Sequence, residues 1–463
     1  MAALAVAGCS SPVPEPGSPE ELNGGYEEAD VVIPPETGGH NHSLPDQHRF
    51  AHNARLVAFD DLGAYGIPDD GVVGAHALAV HGDTLAVAVN AGEESGGQQG
   101  FHLYDVSNGS RLEHIGFLDA GQQVNGDRTI AFSGDGKTVF LGFEGDARPG
   151  VAAYDISDPA AIKEVAFWDD PLKYGSHTIS AGVVEGTQYV FSLALGVNIL
   201  QFDGTTLRLV GRYITNDGLS ILDAPDGEPA PDVYARRSLY GHDMTFYDDP
   251  LTGKPLLLVA YAYDGAKILD LSLPSAPILL GRFMPPTDTG HKHYTHSVAA
   301  ERLVSGELLV VVGSETFEPV NQGIASPIWV LDATATVAGL PLQDDPVHVS
   351  TWRNPDLTPA GNLGLSVHFF RLDNGTLYLS HYHGGVWAID LATPEARAAP
   401  EAFGYIMPLP PKARTPPEGC CIGYDLDGAP MVFDVEVHDG VVYSADIIQG
   451  VGAMRFQRPG LGG

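Results

Sequence analysis

Cysteine, basic residues and long apolar runs are scarce in this sequence, and each shortage excludes a class of protein. The 463 residues include only three cysteines, Cys9, Cys420 and Cys421, too few for a disulfide-rich scaffold. Lysine and arginine number 24 against 59 acidic residues, so the formal net charge is −35 and we expect no nucleic-acid partner. No apolar run reaches the roughly 20 residues of a membrane-spanning helix. The 44% of hydrophobic residues still suffices for a large folded core.

The start of the sequence has the character of a processing signal. Residues 4–9 read Leu-Ala-Val-Ala-Gly-Cys, which resembles the lipobox of bacterial lipoproteins. The resemblance implies that residues 1–9 are a signal remnant and that Cys9 is acylated. The protein would then be extracytoplasmic, in the periplasm or on the cell surface, and would touch the membrane only through its lipid anchor. Because no Lys or Arg precedes Leu4, we expect the true start to lie further upstream. The alternative is a chance Ala-rich start before a cysteine.

Residues 10–50 predict a flexible tether between this anchor and the folded body. They include Ser-Ser-Pro-Val-Pro-Glu-Pro-Gly and Pro-Pro-Glu-Thr-Gly-Gly, and they show no apolar periodicity. Such Pro-, Gly- and Glu-rich segments hold a domain at a distance without packing against it.

From about residue 54 the sequence has almost no helical periodicity, and short β-rich runs are separated by Gly, Asp, Asn and Pro. The runs recur as a four-strand unit whose third strand ends, as a rule, in aspartate. Seven such strands begin near Phe101, Val151, Asn198, Lys267, Ile328, Val386 and Val451. We therefore predict an all-β fold, a single seven-bladed β-propeller over residues 54–457 with four-stranded blades. The last unit stops after its third strand, so residues 55–60 should supply its fourth strand and close the ring.

The third strands resemble those of a known family. In Val151-Ala-Ala-Tyr-Asp-Ile-Ser-Asp-Pro, a buried strand ends in an aspartate that can bond its own backbone in the following turn. This pattern is similar to that of the LVIVD-repeat proteins, which are surface β-propellers, and the resemblance extends over about residues 54–457. It implies an architecture and no particular chemistry.

Histidine recurs at one position of the repeat, near the start of each first strand. The seven equivalent residues are His76, Arg128, His177, His242, His296, His368 and Phe433. Because equivalent residues of a propeller form a ring around its axis, these imidazoles should converge at one mouth of the central channel and bind a metal. His383, in Ser380-His-Tyr-His-Gly-Gly, should return to the same mouth. The alternative is a structural histidine in each blade, bonded to the backbone of the neighbouring blade.

Three families of propeller proteins are similar at the level of this site. Carotenoid-cleaving oxygenases hold iron with axial histidines, and nitrous oxide reductase holds a copper cluster there. Selenium-binding proteins with methanethiol oxidase activity have Leu-His-Gly where this chain has Tyr382-His-Gly. The resemblance implies a transition metal. A mostly imidazole site disfavours calcium and magnesium, and we expect copper or iron rather than zinc.

Two residues next to the predicted ligands are candidate catalytic groups. Arg128 stands at the ring position of blade 2, where it would pair with an anionic group of a substrate or only with a nearby acid such as Asp127. Asp243 directly follows His242, where it would orient a ligand imidazole or serve only at the strand edge. Cys420 and Cys421 leave three alternatives open: a vicinal disulfide, two thiols near the metal, or two inert thiols.

These observations favour a metal-dependent oxidoreductase acting on a small molecule. Two alternatives remain: a non-catalytic platform that binds a surface partner through structural histidines, and a protein that binds or scavenges metal. Convergent imidazoles would distinguish them, because a platform does not need them.

Overall fold

In the computed structural model of the protein, the described residues are 27–28, 50–65, 74–90, 99–121, 128–144, 148–171, 173–194, 196–214, 241–286, 293–316, 326–339, 345–355, 365–409, 414 and 430–459. They form seven sheets of at least four strands, antiparallel except for one pair, with two short α-helices and a 3-10 helix at Gly63–Tyr65. Among these residues, no helix has the length and apolar character needed to cross a bilayer. The predicted all-β, seven-bladed propeller is confirmed.

The strands follow one another around the ring in chain order. Three initial strands, β1 (Glu27–Glu28), β2 (Phe50–His52) and β3 (Ala54–Asp60), join the last two blades. Blade 1 contains β4 (Ala75–His81), β5 (Thr84–Asn90), β6 (Gln99–Asp105) and β7 (Glu113–Asp119). Blade 2 contains β8 (Ile130–Phe132), β9 (Thr138–Phe143), β10 (Gly150–Asp155) and β11 (Lys163–Asp169). Blade 3 contains β12 (Thr178–Val184), β13 (Thr187–Leu193), β14 (Val197–Phe202) and β15 (Leu207–Tyr213).

The remaining four blades repeat the same order. Blade 4 contains β16 (Asp243–Asp248), β17 (Pro255–Ala260), β18 (Ala266–Asp270) and β19 (Ile278–Phe283). Blade 5 contains β20 (Tyr294–Arg302), β21 (Leu308–Glu315), β22 (Pro327–Asp332), helix α1 (Thr334–Ala338) and β23 (Val347–Arg353). Blade 6 contains β24 (Phe370–Asp373), β25 (Thr376–Ser380), β26 (Val386–Asp390), helix α2 (Pro394–Ala398) and β27 (Glu401–Ile406). Blade 7 contains β28 (Val432–His438), β29 (Val441–Asp446) and β30 (Gly450–Phe456).

The ring is closed by the N-terminal strand, as the sequence predicted. Strand β3 pairs antiparallel with β30, with Leu56 opposite Met454, and completes blade 7. Strand β2 adds to the outer edge of blade 6 through Ala51 and Ile406, and β1 pairs with β2. Phe50, which we placed at the end of the tether, therefore begins a strand.

The core lies between the blades. Seven clusters of buried apolar side chains fill the seven interfaces between neighbouring blades. In the interface of blades 4 and 5, for example, Trp329 packs in one cluster with Leu258 and Ile268. Each blade thus buries both faces against its neighbours, which is the reason the ring is stable when closed.

The first strands are also linked to one another by hydrogen bonds around the whole channel. The links run between His76 Nε2 and Thr129 Oγ1, Ile179 N and Arg128 O, Phe246 N and Ser180 Oγ, Val298 N and Asp243 Oδ2, Ser297 Oγ and His368 O, His368 Nδ1 and Phe433 O, and Leu78 N and Asp434 Oδ2. They satisfy inner-edge polar groups that would otherwise face the channel.

Candidate metal centre

A β-bulge turns the ring residue toward the axis in several blades. The register of the first strand shifts between Ala75 and Ala77, between Thr295 and Ser297, and between Val432 and Asp434. The residue inside each shift is His76, His296 or Phe433, the ring residue itself. A bulge lets two consecutive side chains lie on one side of a strand. The ring residue and the next residue can therefore both approach the channel.

Four predicted ligands from consecutive blades form a continuous row. The ring centroids of His177 and His242 are 4.4 Å apart, those of His242 and His296 are 4.0 Å apart, and those of His296 and His368 are 4.4 Å apart. All four side chains are buried. The structure thus brings these four imidazoles together, and their role as metal ligands stays a prediction.

A carboxylate that the sequence analysis did not select joins this row. Ligand atoms of His242, His296 and Glu315 all lie within 4.8 Å of one another, and all three residues are buried. Glu315 Oε2 lies 3.5 Å from His296 Nε2. The other oxygen, Oε1, accepts a hydrogen bond from the Tyr382 hydroxyl. This bond fixes the orientation of the carboxylate, with Oε2 facing the imidazole.

The hydrogen bonds of His296 determine which of its nitrogens carries the proton. The Ser297 hydroxyl donates to His368 O, so at its 2.7 Å contact with His296 Nδ1 the hydroxyl oxygen must accept. His296 Nδ1 is therefore protonated, and Nε2 presents a lone pair toward Glu315. The pKa of His296 lies well below its usual range, so the imidazole is neutral. Burial is the largest cause, and the nearby side chains of His242, His368, His177 and Arg128 lower the pKa further. A lone pair facing a carboxylate in a buried site is an arrangement that a cation would stabilise.

His177 is oriented in the same way. Its Nδ1 lies 2.8 Å from Glu144 Oε2, and a carboxylate only accepts, so Nδ1 donates. Nε2 then points its lone pair at His242 Nε2, 3.1 Å away. Donation of the second ring nitrogen to a carboxylate or carbonyl is the usual way in which a protein orients a ligand imidazole. His177 is thus a suitable neighbour for the group formed by His242, His296 and Glu315.

Three predicted ligands take other positions or bonds. His76 bonds Gly74 O through Nδ1 and Thr129 Oγ1 through Nε2, so both nitrogens are engaged away from the row. His368 Nδ1 bonds Phe433 O in the next blade, as the structural-histidine alternative predicts. His383 is fully buried in the turn after β25 but does not belong to the converging group of ligand atoms.

The two candidate catalytic residues bind each other beneath the histidine row. Arg128 Nη1 lies 3.3 Å from both oxygens of Asp243, and Nη2 lies 3.1 Å from Asp434 Oδ1. The guanidinium also stacks over Phe369, 4.2 Å from the ring centroid. Burial raises the pKa of Asp243, and Arg128 opposes that rise. In this structure the guanidinium is thus paired with carboxylates of blades 4 and 7, and Asp243 contacts Arg128 and the Val298 backbone.

Several predicted residues lie outside the described part of the chain. They are Cys9, Cys420, Cys421 and Asp127. Acylation of Cys9 and the state of the two adjacent cysteines therefore stay predictions.

The residues that sequence reasoning missed have a recognisable signal. Glu144 directly follows β9 and Glu315 ends β21, so both stand where a second strand returns to the mouth that the first strands leave. That argument selected His383 after β25, and applied to every blade it would have found both carboxylates. Asp434 follows Phe433 as Asp243 follows His242.

Comparison with known proteins supports the fold alone. No family model and no curated protein matches the sequence, so the resemblance to LVIVD-repeat proteins stays a prediction. Among solved structures, Sqt1 from Chaetomium thermophilum, bound to the N-terminus of a ribosomal protein, has a TM-score of 0.51 at 14% identity, covering 87% of this chain and 99% of that chain. A virginiamycin B lyase from Staphylococcus aureus with quinupristin has a TM-score of 0.47 at 10% identity, covering 84% and 97%. The likeness to Sqt1 therefore supports the fold of this chain and no particular activity.

Proposed function

We propose that this protein is a metal-dependent oxidoreductase whose metal is held on the propeller axis by His242, His296 and Glu315. The observation that carries the proposal is the convergence of these three buried ligand atoms within 4.8 Å. The lone pair of His296 Nε2 facing the Glu315 carboxylate supports it, because that contact is repulsive without a cation between the two groups.

The donor set favours iron. Two imidazoles and one carboxylate are the protein ligands typical of non-haem Fe(II) sites. The predicted preference for copper or iron rested on imidazoles alone, and Glu315 moves it toward iron. A bound metal of this kind would supply one-electron chemistry to a substrate at the mouth of the channel. The protein's part is to orient the ligands, through Ser297 on His296 and through Tyr382 on Glu315.

Elemental analysis of purified protein tests the proposal. After anaerobic loading with Fe(II), or with Cu(II) or Zn(II) in parallel, the protein should retain one equivalent of metal through gel filtration, with iron oxidised on exposure to air. His296→Ala and Glu315→Gln should each lose most of this metal without a large change in melting temperature. The exposed His348 provides the matched control, and His348→Ala should retain metal as the wild type does. A wild type that retains no metal would refute the proposal.

A second candidate function is a non-catalytic binding platform. His76 and His368 bond groups of the neighbouring blade, as histidines do when their role is structural. The similar propeller Sqt1 is described with a bound peptide segment of another protein. A wild type that retains no metal through gel filtration would favour this function, because a binding platform does not require a bound metal.

A further inference from the structure

Beyond Arg128, away from the histidine row, the central channel widens into a cavity of about 400 Å³. Its walls are the inner edges of the first strands of blades 1–4, and it extends to the turns at their ends, near His81 and Gly134. This volume is within the range of small-molecule sites, roughly 300–1,000 Å³. Arg128, with its partners Asp243 and Asp434, therefore lies between the cavity and the metal centre.

The cavity results from small side chains at one repeat position. Three residues after the ring position, five blades have a small residue, and these are Ala79, Ala131, Ser180, Thr245 and Ala299. Blades 6 and 7 have Arg371 and Glu436 there, and these two side chains form an ion pair with a 2.7 Å bond from Arg371 Nε to Glu436 Oε1. One wall is thus mostly apolar, and a charged pair stands opposite.

The charged side chains at the inner end of the cavity, which we call its floor, favour binding of a cation. Both hydrogen bonds from Arg371 to Glu436 end on Oε1, and within the described residues Oε2 receives no hydrogen bond. Glu436 is only 9% exposed and lines the cavity. The two guanidiniums near the floor, of Arg128 and Arg371, face three carboxylates, of Asp243, Asp434 and Glu436. The floor therefore has a formal excess of one negative charge.

The rim adds negative charge in most blades. The turns between first and second strands, or the positions directly before them, carry Asp83, Asp135, Glu185, Asp248, Asp373 and Asp439. In blade 5 the turn residue Glu307 is paired with Arg397 and adds no net charge. The lysines in these turns are Lys137 and Lys254, and Lys254 donates to Val337 O on the side of the blade. A cleft surrounded by charge of one sign concentrates ligands of the opposite sign.

We propose that this cavity, at the mouth of the channel opposite the metal centre, binds a linear aliphatic diamine or polyamine. One ammonium group contacts Glu436 Oε2, the methylene chain lies along the alanine-lined wall, and the second ammonium group reaches the acidic rim. A monoamine lacks the second charged end that would contact the rim. The proposal does not depend on the metal centre.

Calorimetric titration with 1,5-diaminopentane in moderate salt tests this site. The diamine should bind with 1:1 stoichiometry, whereas 1-pentanol and pentanoate, of equal chain length, should not. Ala131→Leu fills the cavity without changing its charge and should weaken binding tenfold or more. The double variant Arg371→Gln/Glu436→Gln, which removes both charges of the pair, should do the same.

Three controls keep the result interpretable. Glu113→Gln removes one exposed carboxylate on the outer strand of blade 1 and should bind the diamine as the wild type does. His296→Ala should also bind it normally, which separates this site from the metal centre. Melting curves confirm that each variant is folded. The proposal would be overturned if the wild type did not bind the diamine. It would also be overturned if folded Ala131→Leu bound the diamine as tightly as the wild type, because the acidic rim alone would then explain the binding.

Discussion

At the scale of single residues, Arg128 shows how one position of a repeat acquires a separate role. It occupies the ring position of blade 2, yet its guanidinium bridges Asp243 of blade 4 and Asp434 of blade 7. Those carboxylates in turn accept from Val298 N in blade 5 and Leu78 N in blade 1. One buried cation thus connects five blades across the axis and separates the metal centre from the cavity.

We expect Arg128→Met to destabilise the protein by about 3–5 kcal/mol, because it leaves two buried carboxylates without their cation. Chemical denaturation of wild type and variant measures the loss. The triple variant Arg128→Met/Asp243→Asn/Asp434→Asn should recover part of it, since each amide oxygen can still accept from a backbone N–H. Unchanged stability of Arg128→Met would contradict a structural role and would return the residue to the substrate-binding candidates.

At the scale of strands, glycine and bulges determine which side chains can approach each other. Gly150 begins β10 with a φ of 153°, and a Cβ there would lie 1.9 Å from Trp168 O on the neighbouring strand β11. Gly100, the second residue of β6, is in the same situation, because a Cβ there would lie 1.9 Å from Leu118 O on β7. Close contact between third and fourth strands is thus a repeated requirement, and the bulges at the ring position provide the corresponding irregularity on the first strands.

Gly150→Ala should therefore cost more stability than an equivalent change in open space. Gly186, in the turn between β12 and β13, also has a positive φ, of 76°, but no heavy atom of the described residues lies within 4 Å of its Cβ position. Gly186→Ala should cost roughly 1 kcal/mol for the backbone conformation alone. Gly150→Ala should cost roughly twice that or more, because β10 and β11 must also move apart. Equal losses in thermal or chemical unfolding would show that the strand contact adjusts freely.

At the scale of the whole molecule, the ring depends on one strand that comes from the opposite end of the chain. Strand β3 buries Leu56 and Ala58 against β30 and gives blade 7 its outer strand. Without it, β30 would present an unpaired edge, and the apolar cluster between blades 7 and 1 would lose Val57 and Ala58.

Two truncations separate the closing strand from the segment that precedes it. Deleting residues 1–60 should lower the melting temperature by on the order of 10 °C, because the lost apolar burial corresponds to several kcal/mol. Among the described residues, deleting residues 10–45 removes β1, at the outer edge of blade 6, and should change the melting temperature little. Equal melting temperatures for the two truncations would be incompatible with closure by β3.

Much of this molecule could be predicted from its sequence, because a repeat places chemically similar residues at similar positions. The number of blades, the closing strand and the row from His177 to His368 all follow from aligning strands with one another. The ligand set does not. Glu315 reaches His296 because a second strand returns to the mouth of the channel, and Arg128 spans the axis to meet Asp243 and Asp434, residues 115 and 306 positions away. Those contacts join different positions of different repeats, so only closure of the ring brings them within bonding distance.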